Sequence, residues 1–263
     1  MSMEVAYSYF YDKHYEEVIN MRKQLSDFLK EDDNDWLAVQ NIDGYRPRTS
    51  IISDAILNYA NNSILADVMW GVIENVHSFT ICNYNTFRKW AFDKVLVLKA
   101  FPNWKDGMSF YEEAFLYDNR NPYILQQGAL YLSTKHQFQE AFDWIDRAKT
   151  MTNNKHFSIR NSHAIILFDA NYDIHSEESR ALLVQSMETL HECYQNDNRR
   201  TYHAQVYANQ ALRFFQKYHD KESIVYLIQA KTWLHDELID KPWAFDLKPL
   251  IKRINDTIEH KEA

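Results

Sequence analysis

The sequence predicts an all-α protein, an α-solenoid of stacked antiparallel helix pairs. Glycine occurs only four times and proline five times in 263 residues, and β-hairpin turns depend on such residues. Apolar residues instead recur three and four positions apart, which is typical of helices packed on one face. In the second half of the chain these helical segments come in pairs separated by short turns, which favours a repeat architecture.

Composition and charge restrict the classes of function. Apolar residues make up 46% of the chain, enough for a sizeable core, and the formal net charge is −8. A general nucleic-acid binder needs a basic face that releases counterions from phosphates, so nucleic acid is a disfavoured partner. We find no run of about 18 apolar residues and expect no membrane span. Cys82 and Cys193 are too few for a disulfide framework, so we expect a cytoplasmic protein with buried thiols.

We assign residues 1–103 to an N-terminal helical module. Asp35 is a candidate cap for a helix that begins at Trp36. Segment 44–48 is predicted to be a turn, because Pro47 lacks a backbone donor and restrains the residue before it. Apolar residues at helical spacing predict further helices at residues 15–29, 50–58, 65–77 and 83–101.

We assign residues 104–263 to a helical repeat domain with a C-terminal capping helix at residues 250–258. Its first helix is predicted at residues 104–117. Asn121 and Pro122 then open the first repeat, since proline is favoured at the first helical position. A looser middle unit contains a long turn at residues 171–178.

Residues 121–230 resemble the tetratricopeptide family, in which small residues let two helix backbones approach and large ones fill the space between them. In the middle unit Ala164 stands at the small position. The remaining matching positions are Gly128, Tyr131, Ala141, Ile145 and Ala148 in the first unit, and Tyr207, Ala211, Phe214, Ser223, Leu227 and Ala230 in the last.

The resemblance implies that the first helix of each unit lines a concave face that binds a ligand. The residues it selects are polar with few charges, which suits a protein or peptide ligand better than a nucleic acid. The candidate binding residues are Leu125, Gln126, Ser133, Asn161, Ser162, Asp169, Gln205, Asn209 and Gln216.

A second resemblance concerns the order Gly44-Tyr45-Arg46-Pro47-Arg48, a helix at residues 50–58, and then the repeats. This order is similar to the C-terminal half of bacterial STAND-type NTPases, although Thr49 stands where that family commonly has His. The resemblance implies a sensor that detects a phage protein for antiviral defence and self-associates through a parent chain. The helical pattern begins abruptly after residues 1–3, which is consistent either with a fragment of a longer chain or with a genuine short N-terminal helix.

The sequence offers little for catalysis. The four glycines are too far apart for a phosphate-binding loop, and no Cys or His spacing predicts a zinc site. We therefore expect a protein that is not an enzyme and has neither metal nor cofactor. The alternative is a small ribonuclease that resembles the HEPN type, in which Arg213 would stabilise the scissile phosphate and His219 would transfer protons.

Overall fold

The computed structural model describes residues 38–41, 44–47, 65–67, 69–70, 73 and 92–262. Residues 38–47 contain two short paired strands, and every element from residue 92 onward is an α-helix. The strands are β1 (Ala38–Asn41) and β2 (Gly44–Pro47). The helices are α1 (Lys94–Ala100), α2 (Trp104–Tyr117), α3 (Pro122–Thr134), α4 (Phe138–Met151), α5 (Phe157–Tyr172), α6 (Glu177–Asn196), α7 (Arg200–Tyr218), α8 (Lys221–Asp240) and α9 (Leu247–Glu262).

The hairpin corrects two predictions. Strands β1 and β2 pair in antiparallel register, with Ala38 opposite Pro47 and Asn41 opposite Gly44. Ala38 and Val39, which were expected to be helical, lie in a strand, and residues 44–47, which were expected to form a turn, also form a strand. Pro47 favours a turn, but proline is also tolerated in an edge strand, and here it is the last residue of β2.

The chain forms two compact units, Met1–Lys135 and His136–Ala263. The domain boundary predicted at residue 103 stays a prediction, because most of residues 1–91 lie outside the described ranges. The predicted helices at residues 15–29 and 50–58 also lie outside them.

In the first unit, helices α1, α2 and α3 pack on one another. Helix α1 begins only at Lys94, where the side chain of Asp93 caps it, so the helix predicted at 83–101 does not run unbroken. Gly107 on α2 faces the ring of Tyr131, and a Cβ atom at Gly107 would lie 2.2 Å from that ring. The hydroxyl of Tyr131 donates to the carbonyl of Phe101 at 2.9 Å. This buried contact ties α3 to the end of α1.

In the second unit, α5 with α6 and α7 with α8 form two antiparallel helical hairpins. Arg160 near the start of α5 bonds Glu192 near the end of α6, and Tyr207 on α7 packs against Trp233 on α8. Helix α4 packs on α5, and α9 packs on both α7 and α8.

The two hairpins are related by a displacement of 44 residues. Three contacts join α5 to α7 in parallel order, and the residues they connect lie 42, 44 and 45 positions apart: Asn161 with His203, Asp169 with Arg213, and the carbonyl of Tyr172 with Lys217. The helix caps and core residues match at the same displacement. The matched pairs are Ala164 with Ala208, Ser176 with Asp220, Ser179 with Ser223, Leu183 with Leu227, Ser186 with Ala230 and Leu190 with Leu234.

Much of the predicted helix pattern is confirmed. Helix α2 has the predicted bounds, Asn121 caps α3 with Pro122 in its first turn, and α9 contains the predicted capping helix. Every small or large position on which the repeat resemblance depended is buried. The residues form the core because their spacing places them on the inner faces of the helices.

Candidate protein-binding face

Helices α5 and α7 present the same set of positions on one side of the second unit. Positions separated alternately by four and three residues fall along one face of a helix. Four α7 positions follow an accessible α5 counterpart by 44 residues, and the counterpart of the fifth, Val206, is the buried Ser162. We call this surface the α5–α7 face. Its half-buried and exposed members are Ser158, Ile165, Asp169 and Tyr172 on α5, and Tyr202, Val206, Asn209, Arg213 and Gln216 on α7.

An ion pair between Asp169 and Arg213 lies at the centre of the face. Arg213 Nη1 donates to Asp169 Oδ1 at 2.5 Å and to Gln210 Oε1 at 2.9 Å. The guanidinium carbon also lies 4.4 Å from the ring centroid of Tyr172 and 5.0 Å from that of Phe168. Arg213 is thus held by polar and aromatic contacts together, so it joins the two helices as a positioned side chain.

At one end of the face, Lys217 bonds the carboxyl end of α5. Its Nζ donates to the carbonyls of Tyr172 and Ile174, and burial lowers the pKa of this amine. A cation at a helix C-terminus compensates the partial negative charge of the last carbonyls. Arg180 lies close by, with its guanidinium carbon 4.4 Å from the ring centroid of Tyr218.

At the other end, a buried histidine connects three segments. His203 Nδ1 lies 2.9 Å from Asn161 Oδ1, and Nε2 lies 2.8 Å from Asp197 Oδ2. Arg199 donates to the same Asp197 oxygen at 2.7 Å. His203 is fully buried, and burial lowers its pKa although the hydrogen bond to Asp197 raises it.

The hydrogen-bond pattern around His203 determines how Asn161 is oriented. Both oxygens beside the ring are acceptors, and only a protonated imidazole could donate to both. Because burial favours the neutral ring, Nε2–H donates to Asp197. Nδ1 is then an acceptor, and the amide orientation that satisfies it is the one that directs Asn161 Nδ2, which otherwise lacks a partner, toward Nδ1. Amide orientation is assigned from such networks.

Five predicted binding residues are buried. Leu125, Gln126 and Ser133 are buried in the first unit, and Asn161 and Ser162 in the second. The expectation that they line an exposed face is wrong, since a partner cannot reach a buried side chain without unfolding its surroundings. At these five positions the side chains face the core instead of solvent.

The other four predicted residues are accessible. Asp169 and Gln205 are half-buried, while Asn209 and Gln216 are exposed. Gln205 Nε2 donates to Asp246 Oδ2, so its amide is already engaged. Binding by these four residues stays a prediction.

Sequence reasoning missed Tyr202, Lys217 and His203. The 44-residue displacement could have revealed the first, because Tyr202 is the counterpart of Ser158 on the same face. The bond of Lys217 to α5 and the burial of His203 have no local signal, since both depend on how α5 lies against α7.

The residues of the ribonuclease alternative occupy different sides of α7. Arg213 points to α5 and is neutralised by Asp169. The His219 ring instead packs 5.0 Å from the ring of Phe215, at the left-handed cap of the helix. Two side chains that share one phosphate must converge on it, and these contacts give that arrangement no support.

Other chemistry in the described part of the chain is sparse. Cys193 is buried, as predicted, and burial raises the pKa of its thiol to about 12. Among the described residues no group of three or more His, Cys, Asp or Glu side chains could hold a metal ion. Those residues also include no helix that is long and apolar enough to cross a membrane.

Comparisons with known proteins place the chain in no family. No family model matches the sequence, no curated protein is detectably similar to it, and no solved structure matches it.

Proposed function

We propose that the second unit is a helical-repeat module of the α-solenoid class that binds a protein partner through the α5–α7 face. The observation that carries the proposal is the 44-residue match. Four accessible positions of α5 recur as accessible positions of α7, and four buried positions of α5, at Ile159, Ala164, Ile166 and Phe168, recur as buried positions of α7. Repeat arrays of this kind bind ligands along the surface that their successive helices share.

The chemistry of the face favours a protein over a nucleic acid. Its central charges, Asp169 and Arg213, neutralise each other. Around them lie the amides of Asn209 and Gln216 and the ring of Tyr202, which is partly exposed. Tyrosine is enriched at protein interfaces, and amides supply directional hydrogen bonds at little desolvation cost compared with charges.

The wider role that we propose is that of a sensor or scaffold in a bacterial antiviral defence protein that detects a phage protein. Its support is the resemblance to STAND-type NTPases, whose motif overlaps strand β2 and otherwise falls outside the described residues. The spacing of the two hairpins, 44 residues, exceeds the period of about 34 residues of tetratricopeptide units. The proposal therefore concerns helical repeats as a class.

The test is a capture experiment with lysates of phage-infected and uninfected bacteria. The variant Asn209→Glu/Gln216→Glu adds two charges to the α5–α7 face and should abolish capture, because unpaired charges would be forced into the interface. Gln185→Glu/Asn196→Glu makes the same chemical changes at exposed positions of α6 and should capture the partner like the parent. Both variants should keep the parent's melting temperature within a few degrees.

Equal capture by both variants would place the binding site elsewhere. The purified chain should also leave RNA intact. RNA cleavage that is lost in His219→Ala would replace the binding proposal with the ribonuclease alternative.

A further inference from the structure

Helix α8 carries a second apolar surface in addition to the one that packs on its own unit. Its inner face contributes Ser223, Leu227, Ala230 and Leu234 to the core. On its outer face, Val225 is 61% exposed, Ile228 is 52% exposed and Ile239 is 75% exposed. We call the outer set the α8 stripe. Its members are Val225, Ile228, Thr232, His235 and Ile239.

The spacing of the stripe is specific. Successive members are separated by three, four, three and four residues, which corresponds to the first and fourth positions of a seven-residue repeat. A helix that only covers a core shows a broader stripe, whereas this narrow spacing is that of a seam between two helices. These side chains are exposed to solvent and do not contribute to the core of their own unit.

The edges of the stripe indicate which helix fits it. Lys231 precedes Thr232 on one side, and Asp236 follows His235 on the other. In a parallel helix pair such positions, five residues apart, face each other across the seam. Neither Lys231 nor Asp236 forms an ion pair with another described residue. A second copy of α8 in parallel would therefore pair each Lys231 with the Asp236 of its partner, twice by symmetry.

We infer that α8 mediates self-association of this chain, as a parallel two-helix seam formed with a second copy through the α8 stripe. An antiparallel pair would place the two Lys231 side chains on the same side of the seam and leave both Asp236 carboxylates without a cation. The polar members Thr232 and His235 fix the register at some cost in affinity, as polar residues do in helix pairs.

The seam is short, so the association is weak. Helix α8 has 20 residues and is about 30 Å long, and a single helix pair buries less than the roughly 1,600 Å² of a standard interface. We expect a monomer–dimer equilibrium that shifts within the micromolar to millimolar range of chain concentration, about 10 to 1,000 μM.

Sedimentation velocity over that range tests the association. The parent chain should shift toward a dimer as its concentration rises, and Ile228→Glu should stay monomeric because it places a charge inside the seam. Ile174→Glu is the matched control, since Ile174 is 51% exposed and lies between α5 and α6, and it should dimerise like the parent. A parent that is monomeric throughout, or a dimer that survives Ile228→Glu, overturns the inference.

Disulfide trapping tests the orientation. In a Cys82→Ser background, Val225→Cys and Ile239→Cys should each cross-link to itself, because a parallel seam places identical positions opposite one another. Cross-links only in a mixture of the two variants would mean an antiparallel seam and overturn the parallel pairing. The charge swap Lys231→Asp/Asp236→Lys should keep the dimer, whereas Lys231→Asp alone should weaken it. Because α8 is separate from the α5–α7 face, failure here leaves the proposed function untouched.

Discussion

The hairpins α5–α6 and α7–α8 have matched capping and packing positions, but they differ at the positions where they contact each other. The positions that set helix starts and close packing are matched, as Ser179 and Ser223 illustrate, both buried at the third position of the second helix. The positions that touch the neighbouring hairpin are complementary, as Asp169 and Arg213 are. The matched residues therefore give the two hairpins the same internal packing, and the complementary residues join one hairpin to the other.

A further contrast lies at the end of the second helix of each hairpin. Cys193 is buried on α6, where its thiol contacts the carbonyl of Phe157. Its counterpart on α8 is Glu237, a buried carboxylate that accepts from Thr201 at 2.8 Å and pairs with Lys241 at 3.3 Å. Equivalent buried positions of the two hairpins thus hold a thiol in one and a carboxylate in the other, and the carboxylate is accommodated because it has polar partners.

The largest effect should come from truncating a matched core residue in either hairpin. We expect Leu183→Ala and Leu227→Ala each to lower the free energy of unfolding by about 2–5 kcal/mol, because both side chains are fully buried and leave a cavity. Urea unfolding followed by circular dichroism measures the loss. If one variant lowers the free energy of unfolding by less than about 1 kcal/mol, the two leucines do not occupy equivalent core positions.

Over-packing should have the next largest effect. Ala141 and Ala230 are fully buried on α4 and α8, so Ala141→Leu and Ala230→Leu should each destabilise the fold by about 1–3 kcal/mol. Ser186, the counterpart of Ala230, donates its hydroxyl to the carbonyl of Ala164 at 2.6 Å, which indicates how closely helices approach there. Parent-like melting of both variants would argue against close helix contacts at these positions.

Removing a helix cap should have a smaller effect on the free energy of unfolding, and the effect should differ between the two hairpins. Ser176 accepts one bond from the backbone N–H of Ser179. Asp220 accepts the equivalent bond from Ser223 within a reciprocal capping box and also pairs with Arg180. We expect about 1 kcal/mol for Ser176→Ala and up to about 2 kcal/mol for Asp220→Ala. Thermal unfolding of the two variants side by side gives the order, and a reversed order would contradict the role of the extra bonds.

The smallest expected effect is a pH dependence of the free energy of unfolding that arises from His203. The equivalent position in the other hairpin is Ile159, which does not titrate. Burial lowers the pKa of His203, so the unfolded chain takes up a proton first as the pH falls through about 6.5. The free energy of unfolding should therefore decrease on acidification below that pH. His203→Gln should flatten this part of the stability profile, measured by urea unfolding between pH 7.5 and about 5.

Asp197 adds a second transition at lower pH. Burial raises its pKa, but the hydrogen bonds from Arg199 and His203 and the charge of Arg199 together lower it to about 2. Its contribution to stability is therefore present above the ordinary carboxyl pKa of about 3.9 and is lost as the pH falls toward 2. In His203→Gln this acid transition should persist, because Arg199 remains; its disappearance would assign it to the histidine alone.

The positions of most helices could be predicted from local sequence patterns alone. Helix α2, the cap at Asn121 and the buried positions from Tyr131 to Ala230 follow from apolar spacing and cap residues, which act within a few residues along the chain. The hairpin β1–β2 was missed because strands this short carry little periodicity.

Which polar residues face solvent could not be predicted from the sequence, because it depends on how the helices pack. Asn161 and Gln126 look like surface residues in the sequence, yet both are buried, and Asn161 is buried because His203 approaches it from another helix. The pairing of Asp169 with Arg213 likewise depends on the parallel placement of α5 and α7. Helical spacing indicates which residues share a face of a helix. Which face is covered depends on the neighbouring helix, and the position of that helix depends on contacts between residues far apart in the sequence.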